Sequence, residues 1–416
     1  MLPQFSRICL NKLFSNSYNR HILIGTVKAS TCPTKIYNHF SNNGQLSNLD
    51  LFPSDLKRIT SKKDIDLYVA DDDAANVIAK AIARFRMPNV PFFEVNPGPC
   101  ILAKALLRHL EPKKLGLIEK NKEFIHIQQE VSQLHKSRIL VNALEHHWYL
   151  YIRMANLIQE HSEKQQWHKD VVCQLFVYLK SSDFFRIISD VVIQRRLFAN
   201  GRIDIFAIVP LLEFMRITAN PDSKYWLYTQ KSCLFQIFFE YELLAEFQKE
   251  SFLPWFNPKP AYGGKIEYDT DLFYLVRMTP RRDLFSICSP GDLPLLRFFV
   301  NQCLFKRKGY VIPKLEQWIP GIGVDLITSK FKQSSHCKPN STNFMQHLKS
   351  HTFHAFTECG SLTPLQMCAL FQFVQKSPQY PTSCFHQQCK DFYLKSKIAA
   401  LYTTTEDHGN SDDETG

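Results

Sequence analysis

The chain contains no run of 18 apolar residues, so no part of it reads as a membrane-spanning helix. Its 12 cysteines show no paired framework. That excludes a disulfide scaffold, and in a reducing compartment they read as buried hydrophobes. Cys-x-x-Cys spacing is missing as well. His336, Cys337, His347, His351, His354 and Cys359 therefore do not read as a structural zinc site, although His347 and His351 share a helical face. Acids are absent from residues 1–49, where Arg7, Lys12, Arg20, Lys28 and Lys35 stand alone. Bases are absent from the end, where Glu406, Asp407, Asp412, Asp413 and Glu414 follow Thr405.

What remains is a chain of 416 residues, 45% hydrophobic, enough for one large domain or two of ordinary size. The formal charge is +11, and residues 50–404 alone also carry +11. A basic body of that kind favours a polyanionic partner such as DNA or RNA. General basicity of proteins in an alkaline compartment is the alternative. The basic, Ser/Asn-rich opening fits a mitochondrial transit peptide and lacks the continuous apolar core of a secretory signal. Residues 1–47 are accordingly assigned to a leader and linker, 48–285 to a main domain and 286–400 to a helical domain. A His/Ser-rich loop is expected near 329–360, and a disordered acidic tail over 401–416.

Between these ends, the stretch Phe92-Phe93-Glu94-Val95-Asn96-Pro97-Gly98-Pro99-Cys100-Ile101-Leu102 organises the chain. Apolar residues lead into an acid, then a Pro/Gly turn, then apolar residues at helical spacing. That is the strand–turn–helix that opens a nucleotide-type α/β site. Gly98 gives the backbone freedom and the open space for a ligand to lie against the turn. The dinucleotide pattern G-x-G-x-x-G is not there, so the turn alone is a weak signal. A second strand, Leu115–Ile118, ends in Glu119, 21 residues past Gly98. An acid there is placed to accept hydrogen bonds from ribose hydroxyls. Asp71–Asp73 precede an apolar helical run and read as N-capping residues.

The wording E-V-N-P-G-P-x-I-L resembles the S-adenosylmethionine loop of the rRNA adenine dimethyltransferase family, and within it the mitochondrial transcription factor B branch. Two further segments resemble the same family. Phe256, Pro258 and Pro260 match an F-x-P-x-P loop whose aromatic lies in the target-base pocket, and Met278–Phe285 matches M-x-P-R-x-x-L-F. The resemblance covers residues 60–330, with a weaker extension to about 378. It implies a doubly wound, Rossmann-like class I methyltransferase sheet with a small helical C-terminal domain. It also implies S-adenosyl-L-methionine as cofactor, held by Tyr68, Val69, Glu94, Asn96, Gly98, Glu119 and Asn142. Arg281, Arg282, Lys306, Arg307 and Lys308 become candidates for phosphate contacts, with a solvated charged face as the competing account.

Two departures matter. Where the family places an Asp that bonds the adenine amino group, this chain reads Asn142-Ala143. Amino-methylating members also carry an N-L-P-Y/F loop after the fourth strand, which polarises the target amine. Here Val171–Tyr178 contains no Asn-Leu-Pro, and Gln174 with Phe176 or Tyr178 imitates only parts of the loop. With Phe256 these are the catalytic candidates. The erosion points to a mitochondrial transcription initiation factor that works with the mitochondrial RNA polymerase on promoter DNA in the matrix nucleoid. An active dimethyltransferase of small-subunit rRNA is the alternative, and a basic RNA-binding assembly protein a third.

Overall fold

Short, wholly apolar segments alternate with amphipathic helical ones from Phe92 onward, and that alternation builds a parallel sheet with helices on both faces. The computed structural model describes residues 33–60, 66–135, 139–143, 150–256, 272–328 and 353–392. Its main sheet has seven strands: β1 (Phe92–Val95), β2 (Leu115–Glu119), β3 (Ile139–Ala143), β4 (Cys173–Tyr178), β5 (Ile203–Pro210), β6 (Phe239–Gln248) and β7 (Leu272–Pro280). They lie in the order β3-β2-β1-β4-β5-β7-β6. Strands β1 to β5 pair in parallel, while β7 runs antiparallel to both β5 and β6. This is the doubly wound class I methyltransferase sheet. The order reverses between β1 and β4, so a crevice opens there at the strands' carboxyl ends.

The two faces of the sheet bury separate cores. Phe92, Leu117, Phe206 and Leu275 face helices α1 (Pro33–Asn42), α2 (Asp72–Ala83) and α3 (Ile101–His109). Val95, Leu175, Ile205 and Val276 belong to the core of the opposite face. That core also holds residues of helices α4 (Ser181–Ile193), α5 (Gln230–Phe238), α6 (Leu293–Phe305), α7 (Val311–Trp318) and α8 (Pro364–Gln375). Helix α5 is apolar on nearly all sides because it lies between α4, α6 and α8. The helical C-terminal region therefore continues the core of the sheet. No described helix is long and apolar enough to cross a membrane.

Two elements differ from the sequence reading. The aromatic run around Phe235–Tyr241 reads as helix, but the helix stops at Phe238 and Phe239 starts the edge strand β6. Residues 33–42, read as leader or linker, form α1, whose Ile36 and Phe40 are each only 1% exposed within the core. Phe40 and Trp255 both pack edge-on against His39.

Candidate functional site

The turn after β1 is held in an uncommon backbone shape. Asn96, Gly98 and Cys100 all have positive φ, at 55°, 53° and 62°. Left-handed backbone is easy for glycine and costs about 1 kcal/mol or more for other residues, so the surroundings must hold it in place. Glu119 supplies that hold. Its carboxylate accepts from the backbone N–H groups of Gly98 (2.9 Å), Lys120 (2.9 Å) and Asn121 (2.7 Å). The Gln128 amide donates to Glu119 (3.4 Å) and to the Gly98 carbonyl (3.3 Å), while the Tyr68 hydroxyl approaches Glu119 at 3.5 Å. Glu119 thus builds the turn as well as bordering the crevice. Burial pushes its carboxyl up, opposed by these N–H donors.

Glu94 lies one residue before the end of β1 and is 2% exposed. Burial, and then the neighbouring Glu119, push its carboxyl up to about 8. Its Oε2, the Asn96 Oδ1 and the Gln128 Oε1 are buried without hydrogen-bond partners. Buried polar atoms are normally satisfied, so three orphaned oxygens around one glycine turn mark a place built for a donor-rich ligand. The ammonium and ribose hydroxyls of S-adenosylmethionine are donors of that kind, so this part of the site fits the cofactor.

The mouth of the crevice is crossed by the segment leading into Tyr68–Val69, a two-residue strand that pairs with Phe252–Leu253. The Tyr68 ring lies on the turn, since a Cβ built on Gly98 would meet Tyr68 Cδ1 at 2.7 Å. Phe52 and Phe124 pack against that ring at 6.4 and 5.2 Å. Asp66 pairs with Lys120, which follows β2, and with Lys180 (3.7 Å), which follows β4. Val69, buried in the same short strand, contributes backbone pairing. Asp71 caps α2, accepting from the N–H groups of Asp73 and Ala74.

The other expected site residues are dispersed. Gln174 is the second residue of β4, not part of a loop. It is 2% exposed and donates to the Phe85 carbonyl (2.8 Å) and to Asp204 (3.3 Å). Asp204 also accepts from Arg277 Nε (2.9 Å) and Thr279 Oγ1 (2.6 Å), so Gln174 completes a buried structural network. Phe176 is buried within β4 and belongs to the core. The loop that follows the fourth strand is therefore Leu179-Lys180-Ser181, after Tyr178. Lys231 anchors it, reaching Ser181 Oγ (2.7 Å) and Ser181 O (3.0 Å).

Arg281 and Arg282 follow β7, whose antiparallel course brings them to the amino ends of β4 and β5, away from the crevice. Arg281 donates to the Gln236 carbonyl and Arg282 to the His168 carbonyl. Arg307 is likewise engaged, donating to the carbonyls of Tyr225 and Tyr228. Lys306 and Lys308 are exposed. Asn142 lies in β3 opposite Ile118, and Phe256 pairs with Thr60, but both side chains lie outside the described residues, as do Pro258 and Pro260. His336, Cys337, His347 and His351 also lie outside them. Sequence reasoning missed Gln128, although Phe124, Gln128 and Val131 share one helical face and a polar residue on a buried stripe is a readable signal.

No family model matches the chain. It is similar to the mitochondrial dimethyladenosine transferase 2 of Drosophila melanogaster, 28% identical over 389 residues that span 84% of each protein. Among solved structures it is similar to a dimethyladenosine transferase from Plasmodium falciparum, with a TM-score of 0.46 and 13% identity over 74% of this chain and 97% of that one. The 23S rRNA methyltransferase ErmE gives 0.45 and 13% over 74% of this chain and 100% of that one.

Proposed function

We propose that this chain is a mitochondrial protein of the dimethyladenosine transferase kind that acts as a transcription initiation factor. It keeps a crevice for S-adenosyl-L-methionine and holds melted promoter strands for the mitochondrial RNA polymerase in the matrix nucleoid. The observation that carries this reading is the loop after β4. A neutral exocyclic amine needs an acceptor pair to become nucleophilic, and Leu179-Lys180-Ser181 offers a lysine at that place instead. When bound, the cofactor supplies an electrophilic methyl group. This chain's residues cradle it through Gly98, Glu119, Gln128, Glu94 and Asn96, but none of those named polarises an amine.

A second reading, an active dimethyltransferase of mitochondrial small-subunit rRNA, is favoured by one observation: the unpartnered oxygens of Glu94, Asn96 and Gln128 are those of a retained cofactor pocket. Run-off transcription from a linear mitochondrial promoter, with the cognate polymerase and with or without this protein, separates the two. Strong stimulation that persists without S-adenosylmethionine is the expected result. Absence of stimulation, together with methyl transfer to rRNA fragments, would replace the factor by the enzyme.

A further inference from the structure

Three loops meet at the crevice mouth through one carboxylate. Strands β2 and β4 flank β1 on either side. With strands about 4.8 Å apart, their carboxyl ends stand about 10 Å from one another, and the Asn96–Gly98 turn lies between them. Lys120 and Lys180 rise from these two ends and converge on Asp66 across the turn. All three side chains are largely sheltered, at 13%, 16% and 17% exposure for Lys120, Lys180 and Asp66. Two ammonium groups on one carboxylate leave a net positive charge over the opening. The two are close enough to act on each other, since burial and then Lys180 push the Lys120 ammonium down to about 8. A sheltered lysine pair of this kind is costly without an anion between its members. In this arrangement the chain's own Asp66 fills that place.

We infer that Lys120 and Lys180 form a phosphate site at the crevice mouth, occupied by Asp66 until a nucleic-acid phosphodiester replaces it. The inference rests on the nucleic-acid reading given above. Lifting Asp66 also lifts Tyr68, two residues on, from Gly98, so the strand's arrival uncovers the turn. This places a phosphate contact at the crevice, where Arg281 and Arg282 do not reach.

The test uses the full chain and a labelled single-stranded RNA 16-mer, with binding followed by fluorescence anisotropy between 50 and 200 mM KCl. One neutralised phosphate on a single strand contributes about 0.7 to the slope of log affinity against log salt. Lys120→Gln with Lys180→Gln should lower the slope by about that amount, whereas Lys120→Arg with Lys180→Arg should keep it. Asp66→Asn removes the internal competitor and should tighten binding roughly three- to tenfold. Lys113→Gln with Lys114→Gln, a charge-matched change on exposed residues at the amino end of β2, should leave the slope as it is. Melting curves of every variant separate loss of the site from loss of the fold. RNA binding with an unchanged slope in a folded glutamine pair would overturn the inference and leave the nucleic-acid reading standing. A second arm adds pyrophosphate without RNA. If no form binds RNA, yet pyrophosphate raises the melting temperature of Asp66→Asn and not of the glutamine pair, the nucleic-acid assignment falls and the site belongs to free phosphate.

Discussion

Replacing Glu94 by glutamine tests the crevice from its floor. In the folded chain the Glu94 carboxyl is pushed up to about 8, mainly by burial, whereas its model value is 4.5. A folded value raised above the unfolded one means that the protonated group contributes stability fully below about 4.5, and that this is lost as pH rises through 8. The gap of about 3.5 units corresponds to something on the order of 5 kcal/mol across the whole range, at 1.36 kcal/mol per unit. Roughly 2–3 kcal/mol of it falls between pH 6 and pH 9. Glutamine keeps the shape and cannot ionise. Glu94→Gln should therefore follow the wild type at pH 6 to within about 1 kcal/mol and exceed its relative stability by roughly 2–3 kcal/mol at pH 9. Urea unfolding at both values reads the difference directly.

The same group governs the ligand. A cationic cofactor requires Glu94 ionised, so wild-type affinity for S-adenosylmethionine should rise with pH between 6 and 8, by at most about tenfold per unit. Calorimetry in buffers of different ionisation enthalpy should show proton release on binding, and Glu94→Gln should abolish both effects. Parallel stability curves for the two proteins from pH 6 to pH 9 would refute the reasoning, because Glu94 would then be solvated and the turn above it open.

Two other expectations follow from burial. Phe40→Ala should cost about 3–5 kcal/mol in urea unfolding, as a fully buried aromatic does, although it lies in a stretch that reads as leader or linker. A cost below 1 kcal/mol would detach α1 from the core. Gln174→Ala should destabilise by about 1–3 kcal/mol, because Asp204 and the Phe85 carbonyl lose a buried donor. Its cofactor affinity, measured by calorimetry on folded protein, should match the wild type; a large loss would return Gln174 to the site.

How much of this was legible in the sequence depended on whether the signal was local. The β1 turn was, because an acid, Pro-Gly and a helical apolar run fall within eleven residues and Gly98 needs its positive φ. Glu119 was, because its distance from Gly98 follows from one strand–helix–strand unit. β6 was not. Its ladder with β7 shifts register between Leu275 and Val276, and the strand lies at the sheet edge with Glu240, Glu242 and Glu246 exposed. The period-2 pattern is broken by the irregularity, and the aromatics before it belong to a helix. Gln174 was misplaced for a related reason: the apolar run Val171–Tyr178 does not say where its strand ends, and the end decides which residues form the loop. The place of Arg281 and Arg282 depends on β7 running antiparallel, a property of topology that a basic cluster does not carry. The Asp66–Lys120–Lys180 group joins three distant loops and has no local signature at all.

The loop after β4 then bears on chemistry through charge. Methyl transfer to an amine builds positive charge on the attacking nitrogen. A lysine ammonium about 5 Å away opposes that charge by about 3 kcal/mol at an effective dielectric of 20, which is roughly a hundredfold in rate. Asp66 cancels much of this field while it holds Lys180, but in that arrangement the segment that carries it covers the crevice and Tyr68 lies on Gly98. Once Asp66 leaves, the opening is accessible and the lysine charge is uncompensated until an anion arrives. The phosphate of a strand supplies that anion, whereas the amine of a base does not. Both states of the mouth thus disfavour amine methylation, and the open one favours holding a strand. This is the electrostatic reason for preferring a strand-holding factor to an enzyme on this fold.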